Sequence, residues 1–212
     1  MGRWKIVVPA DRLANLQNDE GFAELLVLAR MANALRFALS AAFDAPTGAV
    51  GHRQRNSSFL LTAASLSEIL RALPRMGKHF RSLPAFKELL SPLLADQSVS
   101  DLRGKLLSWL RNKAVFHHDK DVVPIGLAGL HPGPWTFAEG DSEAFMDVAY
   151  PMADFAIIRA ALEQIGTDEN LVDAFEQVLS QTMQIATSLI AAVDTLIGQA
   201  LSARELTYDE ES

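Results

Sequence analysis

A guanidinium, an amide and an imidazole fall within one short segment, Arg111-Asn112-Lys113-Ala114-Val115-Phe116-His117, which runs on into His118 and Asp119. Arginine carries a permanent charge and a planar fork of donors that matches phosphate oxygens. Histidine, with an unperturbed pKa near 6.5, exchanges a proton close to neutral pH. An asparagine next to them can orient a phosphate oxygen or the imidazole. In a straight α-helix, positions six apart are rotated by about 120° and separated by about 9 Å along the axis. Arg111 and His117 therefore do not meet on one ideal helix face. They converge only if the helix ends before His117 or if a symmetry-related copy completes the site.

Four other polar residues bear on this segment. Asn33 falls in an apolar stripe, where an unpaired amide would cost about 1–3 kcal/mol, so it is expected to be buried and hydrogen-bonded. Arg30, on the same side of that helix, needs a partner too. Glu68 is the only acid among the charged residues from Arg53 to Lys87. Its ordinary role is a salt bridge inside a helical bundle, and its sharper role, shared with Asn33, is to hold Arg111 in place from behind. His118 reads as a helix-end cap complementing the helix dipole, with a second catalytic histidine as the alternative.

The elements that must position these residues are helical. Residues 19–43 form a helix with one stripe at Phe22, Leu26, Ala29, Asn33 and Phe37 and another at Leu28, Met31, Leu35 and Leu39. Pro46-Thr47-Gly48 ends it. A long helix follows over about 53–81, with Phe59, Ala63, Leu66, Leu70 and Leu73 inward and Pro74 expected to kink or break it. A short helical piece spans 84–94. Ser98 or Ser100 then caps a helix through Leu102, Leu106 and Leu110 to about His117. Residues 120–140, with Pro124, Pro132, Pro134 and several glycines, are expected to be a loop or a small hairpin. Asp141-Ser142 starts a helix to about Ile165, bent at Pro151, and a last helix covers about 168–203. Its stripe of Leu171, Phe175, Val178, Thr182, Ile185, Leu189, Ala192 and Leu196 suits antiparallel packing in a bundle or a seam with another chain. The fold class is all-α, an antiparallel bundle of about five long helices in a single domain over 1–212.

Composition agrees. The chain has 212 residues, 49% of them hydrophobic and 21% charged, and no cysteine. Disulfides and thiolate chemistry are thereby excluded, which fits a reducing, cytoplasmic compartment. Arg30, Asn33, Arg36 and Asp194 interrupt the apolar helices, so no membrane span is expected. The net charge of −7 is unevenly spread. Residues 53–120 are strongly basic and residues 121–212, including the helical hairpin at about 141–204, strongly acidic. The middle third can therefore present a basic surface to a polyanion, unless the two regions merely neutralise each other.

Arginine, a polar residue, four more positions and then histidine, late in a helix of an all-α chain, resembles the Arg-x(4–6)-His motif of the HEPN family. Asn112 fills the slot after the arginine where that family usually has Asn, Asp or His. The order of a buried first helix, a long second helix and then the motif is also similar. The likeness spans about residues 20–200 in architecture and seven residues as a motif. It implies a helical-bundle, metal-independent endoribonuclease needing no cofactor, of toxin–antitoxin or abortive-infection phage-defence type, acting on RNA. It further implies a homodimer whose facing motif helices form a composite site, and an antitoxin protein as partner. Cleavage would use the RNA's own 2′-OH and leave a cyclic phosphate, with His117 transferring the proton, Arg111 stabilising the phosphate and Asn112 orienting. One departure concerns regulation. Many HEPN toxins paired with a nucleotidyltransferase carry a tyrosine two positions after the histidine, whereas this chain has Asp119, with tyrosines only at 150 and 208. The closer resemblance is to the abortive-infection type.

Two other readings compete. The chain could be a non-catalytic helical bundle that binds a nucleotide, RNA or a protein. A metal site from His117, His118, Asp119 and His131 is disfavoured, because adjacent histidines on a helix cannot easily share one ion. A Ser-His-Asp hydrolase lacks both motif and strands.

Overall fold

The computed structural model describes residues 4–115, 120–129, 134, 136–138, 150–164, 166, 171–206 and 208–210. Its elements are almost all helices: α1 (Ala10–Leu16), α2 (Glu20–Phe43), α3 (Gly48–Phe80), α4 (Ser91–Ala95), α5 (Gln97–Leu102), α6 (Val122–Ala128), α7 (Pro151–Glu163) and α8 (Leu171–Ser202). One two-stranded antiparallel ribbon, β1 (Trp4–Ile6) with β2 (Tyr208–Glu210), ties the chain ends together, pairing Lys5 with Asp209. The chain is thus an all-α helical protein, and among the described residues its small ribbon lies at the termini.

α2 and α3 form an antiparallel pair, and α8 packs against both. α3 turns Phe59, Ala63, Leu66, Leu70 and Leu73 inward as its spacing predicts, joined by Ile69. α8 contributes Val178, Thr182, Ile185, Leu189, Ala192 and Leu196, again the predicted stripe. Together with Leu25, Leu28 and Leu35 of α2 these make one contiguous core. The turn between α2 and α3 depends on glycine. Gly48 has φ +82°, in the left-handed region, and a Cβ on Gly51 would lie 1.5 Å from the Pro46 carbonyl oxygen. α3 therefore starts about a turn earlier than expected.

Several expectations are corrected. Asn33 is exposed, not buried, and so is Arg30. The face of α2 carrying Leu26, Asn33 and Phe37 points outward, and the core takes the face of Leu25, Leu28, Ala32, Leu35 and Leu39. Asn33 thus has water for its amide, and the buried amide partner inferred from the stripe is not needed. α3 runs unbroken through Pro74, an exposed position late in the helix. Pro151 is not a mid-helix bend but sits in the first turn of α7, where no intrahelical N–H is required. The part of that expected helix over 141–149 lies outside the described residues. α5 is capped by Asp96, whose carboxylate accepts from the Ser98 backbone N–H at 2.7 Å and from its hydroxyl at 2.6 Å, and not by Ser98 or Ser100. The stretch from 120, expected to be loop or hairpin, opens with α6. Pro124 falls in the first turn of that helix, where proline is tolerated. Gly126 lets α6 lie directly on α7, since a Cβ there would come 1.9 Å from the Ala156 carbonyl oxygen.

The two chain ends are also locked by Asp19. It caps α2 by accepting from the Phe22 N–H at 3.1 Å and pairs with Arg204 beyond the end of α8 at 2.7 Å. The Arg204 guanidinium holds its carboxyl down, to about 2. A carboxyl lowered on folding adds stability at pH above its unfolded value, and that contribution disappears as pH falls from about 4 toward 2. Asp19→Asn, which keeps a cap acceptor but loses the charge, is expected to cost about 1 kcal/mol at pH 7. It should also flatten the acid limb of the urea stability curve between those pH values. An acid limb identical to the parent's would show that the pair contributes nothing.

Candidate functional site

The segment holding Arg111 is not a regular α-helix. After α5 the backbone runs through two π-helical stretches, Arg103–Leu107 and Leu110–Val115. In these the hydrogen bonds close five residues back instead of four, and such segments occur often at functional sites. The first is reinforced by Ser108, whose hydroxyl and backbone N–H both donate to the Arg103 carbonyl. The regular α-helical rotation assumed for this segment therefore does not hold over Leu110–Val115.

Leu106, Leu107, Leu110 and Ala114 are buried and anchor this stretch, which packs against α3. That leaves Asn112 and Lys113 exposed and Arg111 half-buried at the boundary. Arg111 Nε donates to Glu68 Oε1 of α3, and its Nη1 donates to the side-chain oxygen of Asn112. Arg71 approaches the same Glu68 oxygen at 3.5 Å from one turn along α3. Glu68 thus stands between two guanidinium groups, with a third of its side chain still accessible, at 34%.

Glu68 also lines a groove of about 310 Å³ between α2 and α3, with Arg30, Met31 and Ala34 on one wall and Ala64 and Ser65 on the other. The next groove along the same helix pair, about 300 Å³, includes Arg75 and Glu24 above an apolar floor of Val27, Ala72 and Met76. Arginine is therefore the recurring cation here: Arg111 and Arg71 on Glu68, Arg30 in the same groove and Arg75 in the next.

Of the residues singled out from the sequence, the structure brings Arg111, Asn112 and Glu68 together and places Arg30 in the groove that Glu68 lines. Asn33 does not join them: exposed on α2, it is not part of that groove. His117 and His118, with Asp119 and His131, lie outside the described residues. Among the described residues no three histidine or acidic side chains gather as a metal cluster.

Two groups escaped the sequence reading, Asp154 and Arg71. Asp154, in the first turn of α7, is partly buried, and burial pushes its carboxyl up despite a hydrogen bond from Asn56 at 3.4 Å and the nearby charge of Arg53. An acid at a helix start reads as an ordinary dipole complement, so nothing in the sequence marked it. Arg71 escaped as well, since i,i+3 from Glu68 is the commonplace of any helix surface.

Compared with family models, with curated proteins and with solved structures, the chain matches none.

Proposed function

We propose that the chain is a metal-independent endoribonuclease of the HEPN type, acting on cytoplasmic RNA as a toxin or phage-defence protein. Arg111 grips the scissile phosphate, Asn112 orients it and His117 transfers the proton as the RNA 2′-OH attacks. The observation that carries the reading is the way Arg111 is held. A guanidinium gripped through Nε by one carboxylate and through Nη1 by the neighbouring amide oxygen has its direction fixed, so a phosphate reaching it would meet a cation already oriented. Glu68 supplies that grip, and Arg71 and Arg30 add positive charge beside it. In such a site electrostatic positioning supplies most of the rate, and no cofactor takes part. A second copy facing the first would complete the site, and an antitoxin protein would restrain it.

The same Glu68 contact also favours a second reading. A guanidinium already neutralised by a carboxylate is what a structural bridge looks like, and the bundle would then be a binding module for RNA, a nucleotide or a protein. The test is incubation of the purified chain with single-stranded RNA in excess EDTA, followed by analysis of product ends. The proposal expects cleavage with 2′,3′-cyclic phosphate termini. Retention of RNA without cleavage would establish the binding module, and cleavage abolished by EDTA would assign a metal-dependent reaction.

A further inference from the structure

The groove of about 310 Å³ between α2 and α3 sets two opposite charges beside one apolar surface, and they do not pair with each other. Arg30 stands on the α2 wall and Glu68 on the α3 wall, with Met31, Ala34 and Ala64 supplying the apolar surface between them. Among the described residues the Arg30 guanidinium has neither a hydrogen bond nor an ion pair. Glu68 is engaged through one oxygen: Arg111 and Arg71 both donate to Oε1. A carboxylate has two acceptor positions on each oxygen, so those of Oε2 remain for a ligand.

The occupant that satisfies both walls must turn donors to a carboxylate and acceptors to a guanidinium, and must also cover an apolar surface. A bare phosphate has no strong donor for Glu68, and an ammonium has no acceptor for Arg30. A nucleobase has both kinds of group at its edge and an apolar face, on which the thioether of Met31 packs well. Guanine fits best of the four. Its N1–H and 2-amino group are two adjacent donors, while O6 and N7 form the acceptor pair that arginine grips bidentately. Adenine, cytosine and uracil each bring only one donor group to the carboxylate. Base pairing would occupy the N1–H and the 2-amino group, so the guanine must be unpaired.

We infer that this groove is a guanine subsite, which seats an unpaired guanosine of single-stranded RNA between Arg30 and Glu68. The same carboxylate holds Arg111, so a guanosine seated here brings its phosphate toward that guanidinium. The site thereby names the base beside the bond cut in the proposed cleavage. It rests on the nuclease reading for the cut, while binding of the free nucleotide does not. The next groove along α2 and α3 also holds an arginine and an acid, Arg75 and Glu24. There each acid oxygen already faces a basic side chain, Oε1 Lys78 at 3.9 Å and Oε2 His79 at 3.8 Å, which leaves no oxygen for a base.

The test is calorimetric titration of the full chain with GMP, IMP, AMP, CMP and UMP, beside mapping of cleavage sites in an unstructured RNA. GMP should bind about tenfold or more tightly than the other nucleotides. IMP, which lacks only the 2-amino group, should lose about tenfold, the worth of one charge-assisted hydrogen bond. Arg30→Gln should weaken GMP by a similar factor, and because Arg30 is exposed the variant should keep its circular dichroism and melting temperature. Ala34→Phe, from a half-buried position, should fill the groove and abolish GMP binding, while Arg75→Gln leaves it unchanged. In the parent, cuts should fall beside guanosine. Equal affinity for all five nucleotides, GMP binding untouched by Arg30→Gln and Ala34→Phe alike, or no GMP binding at millimolar concentration would each overturn the inference. Selective GMP binding without RNA cleavage would uphold the subsite and remove the nuclease reading. Cleavage with no preference for guanosine would overturn the subsite and leave the nuclease reading in place.

Discussion

His117→Ala and Arg111→Ala are each expected to lower EDTA-resistant RNA cleavage by about 10²–10⁴, the usual consequence of losing a general acid–base group or a phosphate-stabilising donor. Arg111→Ala should do so without unfolding the protein. Its side chain is partly accessible, at 26%, and the carboxylate it leaves behind remains reachable by solvent and by Arg71 at 3.5 Å. The expected loss of stability is below about 1 kcal/mol. Arg111→Lys should rescue little, because an ammonium cannot donate to Glu68 and a phosphate through a fixed fork. Glu68→Gln should act between the extremes. It keeps an acceptor for Arg111 Nε but removes the charge, so kcat should fall by roughly tenfold while the melting temperature stays within a few degrees. Cleavage by His117→Ala equal to that of the parent would assign the activity to a contaminant. If Arg111→Ala instead melts far below the parent, the Glu68–Arg111 pair is structural and the binding-module reading takes its place.

The largest stability effect is expected at Phe59. It is buried in α3 and meets Phe175 of α8 edge to face, with ring centroids 5.3 Å apart and planes at 85°. Phe59→Ala removes that ring from the junction of two long helices, whose backbones cannot close the gap, and should cost about 3–5 kcal/mol. For a chain of this size the melting temperature should drop by about 10 °C. Leu61→Ala, two positions away but exposed, is the control and should change stability by less than about 0.5 kcal/mol. Similar melting temperatures for the two variants would show that α3 and α8 do not pack through Phe59.

The helices of this protein are largely written in its apolar spacing. The inward residues of α3 and α8 could be read because each has a polar side that leaves one choice of face. α2 has no such side: its apolar residues surround most of the circumference, so spacing supplied two stripes and no means of choosing. The core selected the Leu25–Leu28–Leu35 stripe because it meets α3 and α8 there, and this left Leu26, Asn33 and Phe37 outside. Proline was misread for a related reason. Pro124 and Pro151 end helices when placed inside them, but both stand in first turns, and only the folded hydrogen-bond pattern shows where a first turn is. The sequence likewise named Arg111, Asn112 and Glu68 as residues with chemistry to do. Whether Glu68 reached Arg111 was beyond it, since 43 positions separate them and their meeting depends on how a π-helical stretch lies across α3. Local side-chain character determines which residues can act. Long-range packing alone decides which of them share a surface, because contact between distant helices depends on the rotation of each about its own axis, and that rotation is set by every buried residue at once.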